Sequence, residues 1–455
     1  MRKKRIDHWS WFYEFLRKTI IGFSFRNYFK KFTIKNEENI PVNSPVILAP
    51  NHQNALMDAM AIVCGNKYQT VFIARADIFN TPLVITILTF LKILPMYRMR
   101  DGAENLKKND EIFEQTLNIL RRKSSPIAIF AEGNHGEYRR LRPLVKGIFR
   151  MAFKAQEDYG TDPGVKIVPV GLDYGHYQKF RSTLLLNYGK PVEVSEYYQL
   201  YKENNALGIN ALKNRLSEEM KKYMIHIPSE TNYQLYMDLR IVFNDNMREK
   251  LGISGHRQWD KFKADQKMIS VLNTYEEKEP EKVKTLNSKM QEYMTGLNEM
   301  NLRDWVLKKK RYSYIIMFLH IIGLILTFPL FLAGIAENYL PYKMPLFFTS
   351  KIKDPQFIST FKYGLGLVFF VLYYLILIIL TLIFVPYWWL KLIVILTLPL
   401  TGLFAYNYFI SIKKLVAKCR YNIFTLRKNK KLQVLRQLRQ EITGTMNEIY
   451  DQSAT

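Results

Sequence analysis

The chain has 455 residues, 48% of them hydrophobic, and its 66 Lys and Arg against 40 Asp and Glu leave a formal net charge of +26. That length has room for two or more domains, and the charge selects an anionic partner: nucleic acid, a phosphorylated substrate or acidic lipid headgroups. Cys64 and Cys419 stand alone and far apart, so they make neither a disulfide framework nor a metal-ligand spacing.

Residues 1–39 read as a basic amphipathic segment for a membrane interface. Trp9, Phe12, Tyr13, Leu16 and Ile20 share one face at helical spacing, with Arg17 and Lys18 off it and basic residues at both flanks. The segment lacks the long apolar core and small-residue cleavage site of a secretory leader. Between 40 and 204 the pattern changes to short apolar runs, "PVILAP", "TVFIAR", "PIAIFAEG", "VKIVPVGLDY" and "LLLNYGKPVEV", with helical stretches between the first four. Alternation of this kind predicts an α/β domain: a mainly parallel central sheet, flanking helices, and polar chemistry on the loops leaving the strand ends.

Residues 205–311 are charged and helix-patterned, broken at Gly252–Gly255 and near Pro280, and read as a helical connector. The region 312–412 holds three windows free of Asp, Glu, Lys and Arg: Ile315–Ala336, Gly364–Leu390 and Leu392–Ile412. Each has the roughly 20 residues needed to cross a bilayer. The tail 413–455 is basic, with ten Lys or Arg and no acid between Lys413 and Arg439. Positive charge marks the cytoplasmic side, and "LKKKR" precedes the first window, so an even number of crossings is expected from three windows. The simplest solution makes the Pro329-interrupted first window a re-entrant or interfacial element and the other two a hairpin around "PYWWLK".

Four blocks carry the chemistry. "NHQNALMD" follows the first strand, "ILPMYR" comes next, then "FAEGNHGEYRRLRPLVKG", then "IVPVG". In that order and at those intervals they resemble the glycerolipid acyltransferase family, which acylates glycerol phosphate and lysophospholipids. The resemblance spans about residues 40–195. It implies that Asn51, His52 and Asp58 form the first block and that Arg98 closes the second. Phe130, Glu132, Gly133, Lys146 and Gly147 fall on the third, and Pro169 on the fourth. Two departures stand out. Five residues, Gln53–Met57, separate histidine from aspartate where the family has four, and His135 stands where the third block carries arginine. A similar histidine in the branch acting on glycerol phosphate or dihydroxyacetone phosphate points to a phosphorylated acceptor.

The residue types agree with that chemistry. Acyl transfer to a hydroxyl needs a base near neutrality, which histidine supplies, and a carboxylate such as Asp58 can hold the imidazole tautomer. Neither a serine or cysteine nucleophile nor a cofactor or metal is then required. The donor, acyl-CoA or acyl carrier protein, is a co-substrate. A phosphate needs fixed donors, for which Arg98, Arg139, Arg140, Arg142 and Lys146 are candidates, with Glu132, Gly133 and His135 also at the site. "RRLR" reads equally as a basic face against anionic membrane lipid. Tyr174 and His176 receive no role, and Pro169 is expected to shape a turn.

The expectation is thus an integral membrane O-acyltransferase with its catalytic domain on the cytoplasmic face. Its acceptor would be glycerol 3-phosphate or 1-acylglycerol 3-phosphate. The alternatives are another lysolipid acceptor, such as a lyso-aminolipid, or an inactive lipid-binding homologue. Nucleic-acid binding would explain the charge but neither the apolar windows nor the four blocks.

Overall fold

The apolar runs of the first half pair into one eight-stranded sheet. A computed structural model of the chain describes residues 5–97, 103–136 and 138–454. Its strands are β1 (Lys31–Lys35), β2 (Val46–Pro50), β3 (Val71–Arg75), β4 (Ile93–Met96), β5 (Ile127–Ile129), β6 (Lys166–Tyr174), β7 (Thr183–Tyr188) and β8 (Val192–Glu193). The order is β1-β7-β6-β2-β5-β3-β4, with β8 also on β6. All pairings are parallel except those of β7 and β8 with β6.

Helices separate the strands: α1 (Trp11–Leu16) and α2 (Gly22–Tyr28) precede β1, and α3 (Leu56–Gly65), α4 (Pro82–Phe90), α5 (Ala103–Arg122) and α6 (Lys146–Gln156) connect β2 to β6. After β8 come α7 (Tyr198–Glu203) and α8 (Asn205–Tyr223). Side chains alternate across the pleat, so Ile47 and Ala49 of β2 enter one cluster with Leu120 of α5, Phe149 of α6 and Leu216 of α8. Each such fully buried side chain contributes about 1.5–3 kcal/mol. Proline loses a ladder donor, and besides Pro50 at the end of β2 two strand prolines sit where none is needed. Pro95 lies in the edge strand β4. Pro169 lies inside β6, not in a turn as expected, at the gap between the stretches that pair with β8 and with β7.

The two compact units do not follow the expected boundaries. One is Met1–His226 with Lys353–Thr360; the other is Ile227–Ile352 with Phe361–Thr455. The departures begin at the N-terminus. β1 completes the sheet, and Tyr13, Arg17 and Phe25 are buried, so the N-terminal stretch is built into the first unit. Arg17 donates to the carbonyls of Val63 and Asn66 (2.8 and 2.7 Å), and Arg26 to that of Cys64 (3.0 Å), neutralising the carbonyl end of α3. Of the expected face, Trp9, Phe12 and Ile20 are exposed while Tyr13 turns inward, Trp11 and Phe15 are exposed beside them, and Phe12 touches Phe90 of α4. α4 itself buries none of its apolar side chains. α8, expected in the connector, instead fills the first unit's core with Leu212, Leu216 and Met220.

The second unit holds α9 (Tyr233–Val242), α10 (Asn244–Lys250), α11 (Gln258–Lys278), α12 (Pro280–Glu299) and α13 (Asp304–Leu307), then α14 (Tyr314–Thr349), α15 (Ile358–Phe384), α16 (Trp388–Leu426) and α17 (Lys430–Ala454). α17 is a packed helix and not a free tail. Leu432, Leu435, Ile442, Met446 and Ile449 are buried at helical spacing, and Leu435 lies where a Cβ on Gly296 of α12 would fall. Among the described residues three helices are long and apolar enough to cross a membrane. The first of them, α14, runs unbroken through Pro329, Pro341 and Pro345 for 36 residues, so the window expected to enter and return is one continuous helix. Asn338 of α14 ties it to its neighbours, donating to the Leu398 carbonyl (3.3 Å) and accepting from Tyr374 (2.6 Å). These helices make the chain a membrane-associated protein.

Candidate active site

Strands β6, β2 and β5 are adjacent and run in the same direction, so the loops leaving their C-terminal ends meet. His52 follows β2, the Phe130–Gly136 loop follows β5, and Asp173 and Tyr174 close β6. Asn51 fastens the first of these loops. Its side chain accepts from the Leu172 amide (2.7 Å) and donates to the Leu172 carbonyl (3.2 Å), prolonging the β2–β6 ladder by one side-chain rung.

His52 and Asp58 pair as the resemblance implied, Nδ1 to Oδ2 at 2.9 Å. The extra residue between them is absorbed by Ala55, whose backbone (φ 43°, ψ −128°) kinks the chain just before α3. L-residues avoid that region, so the kink stores strain of order 1–3 kcal/mol. Asp58 is saturated: Oδ2 also receives the amides of Gln53 (2.8 Å) and Asn54 (2.7 Å), and Oδ1 the hydroxyl of Tyr174 (2.8 Å). An accepting carboxylate makes Nδ1 the donor, which leaves Nε2 with its lone pair. The His52 side chain keeps 16% of its surface exposed while Asp58 keeps none, so the imidazole is open to solvent and the carboxylate behind it is sealed. Phe130 stacks on the imidazole (centroids 4.1 Å), and His135 stands edge-on to it (5.5 Å).

Tyr174, without a role in the sequence reading, joins the site through Asp58. Burial and the adjoining Asp58 push its phenol well above the usual range, so it remains a donor. The signal available was positional, since it is the last residue of the strand beside β2.

Glu132 braces two loops. One oxygen receives the His52 amide (2.8 Å), the other the Arg142 amide (2.9 Å). Burial dominates its titration and, against those two amides, pushes it up to about 7. Both oxygens hold backbone, which makes Glu132 a support for the site and not a free ligand group. Gly133 is a turn residue at φ +66°, where a Cβ would also strike Val145.

The basic residues separate into two kinds. Arg139 is buried, paired with Asp173 and the Tyr174 carbonyl, and its guanidinium lies 4.9 Å from the centre of the Tyr177 ring. It therefore locks the end of β6, correcting the expectation that it binds acceptor. Arg142 donates to the His135 carbonyl (2.6 Å), and Lys146 is exposed at the start of α6. Arg140 is half-buried near His226, which burial and the charges of Lys221 and Arg140 bring down to about 4. The neutral ring accepts the Leu141 amide at Nδ1 (3.0 Å). Arg98 lies outside the described residues. Among the described residues no three His, Cys, Asp or Glu side chains form a cluster suited to a metal ion.

Part of the chain is similar to known proteins. The Acyltransferase family model matches residues 31–173, beginning at β1. Glycerol-3-phosphate O-acyltransferase 1 of Saccharomyces cerevisiae is 24% identical over 218 residues, 46% of this chain and 27% of that protein. Glycerol-3-phosphate O-acyltransferase 2 of the same yeast is 32% identical over 115 residues, 25% of this chain and 15% of that protein. The chain thus spans about a quarter or less of the length of these relatives. The crystal structure of a 1-acyl-sn-glycerophosphate acyltransferase from Thermotoga maritima aligns at 18% identity and a TM-score of 0.34, covering 49% of this chain and 83% of that one. The matched region contains His52, Asp58 and the Glu132 block, so residues 31–173 of this chain form a domain of the Acyltransferase family.

Proposed function

We propose that the protein transfers a fatty acyl group from a thioester, acyl-CoA or acyl carrier protein, to a hydroxyl of glycerol 3-phosphate or 1-acylglycerol 3-phosphate. The observation that carries this reading is the His52–Asp58 pair, with the acid saturated by donors and the base still open to substrate.

In the mechanism, Nε2 of His52 takes the acceptor's hydroxyl proton as that oxygen attacks the thioester carbonyl carbon. Asp58 holds the ring and stabilises the imidazolium so formed. The tetrahedral intermediate collapses with cleavage of the carbon–sulfur bond. The thiolate leaves and receives the proton from His52, yielding ester and free thiol. His135, Arg142 and Lys146 supply positive charge for the acceptor's phosphate. The exposed aromatics of α1 and the apolar α4 suit contact with the lipid in which substrate and product reside. Lys351, Lys353 and Lys362, in and beside the connector that belongs to the catalytic unit, support a cytoplasmic catalytic unit.

The test is acyl transfer by the purified protein, offered glycerol 3-phosphate and lysophosphatidate side by side. His52→Ala is expected to lower kcat by about 10²- to 10⁴-fold, the usual contribution of a general base. A variant keeping more than about a tenth of wild-type activity sinks the mechanism.

A further inference from the structure

The segment Lys353–Thr360 joins α14 to α15, yet it belongs to the catalytic unit. Asp354 places Oδ2 3.2 Å from Nε2 of His135. Its other oxygen accepts the Gln356 amide (3.0 Å), which fixes the plane of the carboxylate. Phe357 stands edge-on to the same imidazole, with centroids 5.0 Å apart. Ser359 is buried and donates to Oδ1 of Asn54, 305 positions earlier in the chain. The Pro355 carbonyl accepts from the Gln178 side chain (3.2 Å). Asn54 also gives its amide to Asp58, so the segment ends one residue from the base–acid pair's own hydrogen-bond network.

We infer that this connector is the acceptor-side wall of the active site, and that Asp354, acting through His135, sets affinity for the acceptor's anionic group. The inference rests on the reaction proposed above. A carboxylate can only accept, so it requires the proton of His135 on Nε2. An anion approaching Nδ1 then favours a second proton there, giving an imidazolium held between Asp354 and the acceptor phosphate. Because His135 is edge-on to His52, an anion bound in this way lies beside the base that takes the hydroxyl proton. Asp354 is a positioning residue in this scheme, and His135 makes the contact.

The experiment is steady-state kinetics of Asp354→Ala and Asp354→Glu with a phosphorylated acceptor, each substrate varied in turn. Asp354→Ala should raise the acceptor KM about ten-fold and move the acyl-donor KM and kcat less than about two-fold. Asp354→Glu should restore most of the acceptor affinity. An unchanged acceptor KM overturns the inference. A lowered one also overturns it, because Asp354 would then be a competitor for the anion site. Placement is tested separately by Asn54→Cys with Ser359→Cys, in protein carrying Cys64→Ala and Cys419→Ala. Mild oxidation should close a disulfide seen by mass spectrometry, and failure to close it overturns the inference. A wild-type protein that acylates neither phosphorylated acceptor removes the proposed function, and the cross-link then decides the connector's placement by itself.

Discussion

The two sides of the site are built differently. On the acid side, Asp58 is sealed from solvent and holds four donors drawn from the loop after β2 and the end of β6. On the cation side, Lys146 is exposed, Arg142 reaches a backbone carbonyl, and His135 depends on a residue more than two hundred positions away. In the proposed reaction, proton transfer tolerates little misplacement, which suits a pair held on strand ends with every polar atom of the acid engaged. The proposed recognition of a phosphate asks for charge and reach more than fixed geometry, which loop side chains can supply. Arg139 marks the border between the two. It is a cation by type but belongs to the sealed side.

That division can be broken by mutation, most severely at Arg139. Arg139→Ala removes the buried guanidinium that Asp173 and the Tyr174 carbonyl share, which should cost about 3–5 kcal/mol of stability. Lys146→Ala should instead raise the acceptor KM a few-fold with an unchanged melting temperature. Thermal melts and kinetics of the pair would merge the two classes if Arg139→Ala affected only KM.

Glu132 tests the division through pH. Its folded carboxyl titrates near 7 and an unfolded one near the ordinary 4.5, so the folded state retains a proton that the unfolded state releases between those values. The stability it contributes is full below about 4.5 and is lost as the pH rises through about 7. Glu132→Gln has no such titration, and it turns an N–H toward a backbone amide, at a cost of about 1–3 kcal/mol. The stability advantage of wild type over this variant should therefore shrink from pH 5 to 7.5. Parallel melts at the two values would show it, and an advantage that grows would mean the carboxyl is not raised.

The smallest expected effect sharpens the acid side. Tyr174→Phe removes one of four donors to Asp58 and should lower kcat about three- to ten-fold, with acceptor KM nearly unchanged. A large rise in KM would place the phenol against substrate.

Much of the acid side was legible in the sequence because strand-end chemistry follows short-range pattern. An apolar run, a histidine and an aspartate a helical turn onward located the pair, and four ordered blocks located its loops. The five-residue interval looked like a defect in that pattern. Ala55 shows how backbone strain absorbs it, and strain has no signature in residue type. Arg139 could not be separated from Arg140 and Arg142 because "RRLR" does not reveal which guanidinium turns inward toward Asp173. β1 escaped notice because "KFTIK" is basic at both ends and pairs with a strand 150 positions later. Asp354 escaped for a stronger reason, since its partner is set by tertiary proximity alone.

The place of Asp354 in the chain gives the protein a timetable. The ribosome completes the sheet, His52, Asp58 and Glu132 before residue 227, and only afterwards makes α14 and the Lys353–Thr360 segment. A chain halted at residue 312 has His52 and Asp58 but lacks Asp354, Phe357 and Ser359, which stand beside His135 and Asn54 in the full chain. By the time those residues emerge, the first long apolar helix has already been synthesised. The segment that closes this side of the candidate site is therefore made only after a helix long and apolar enough to cross a membrane.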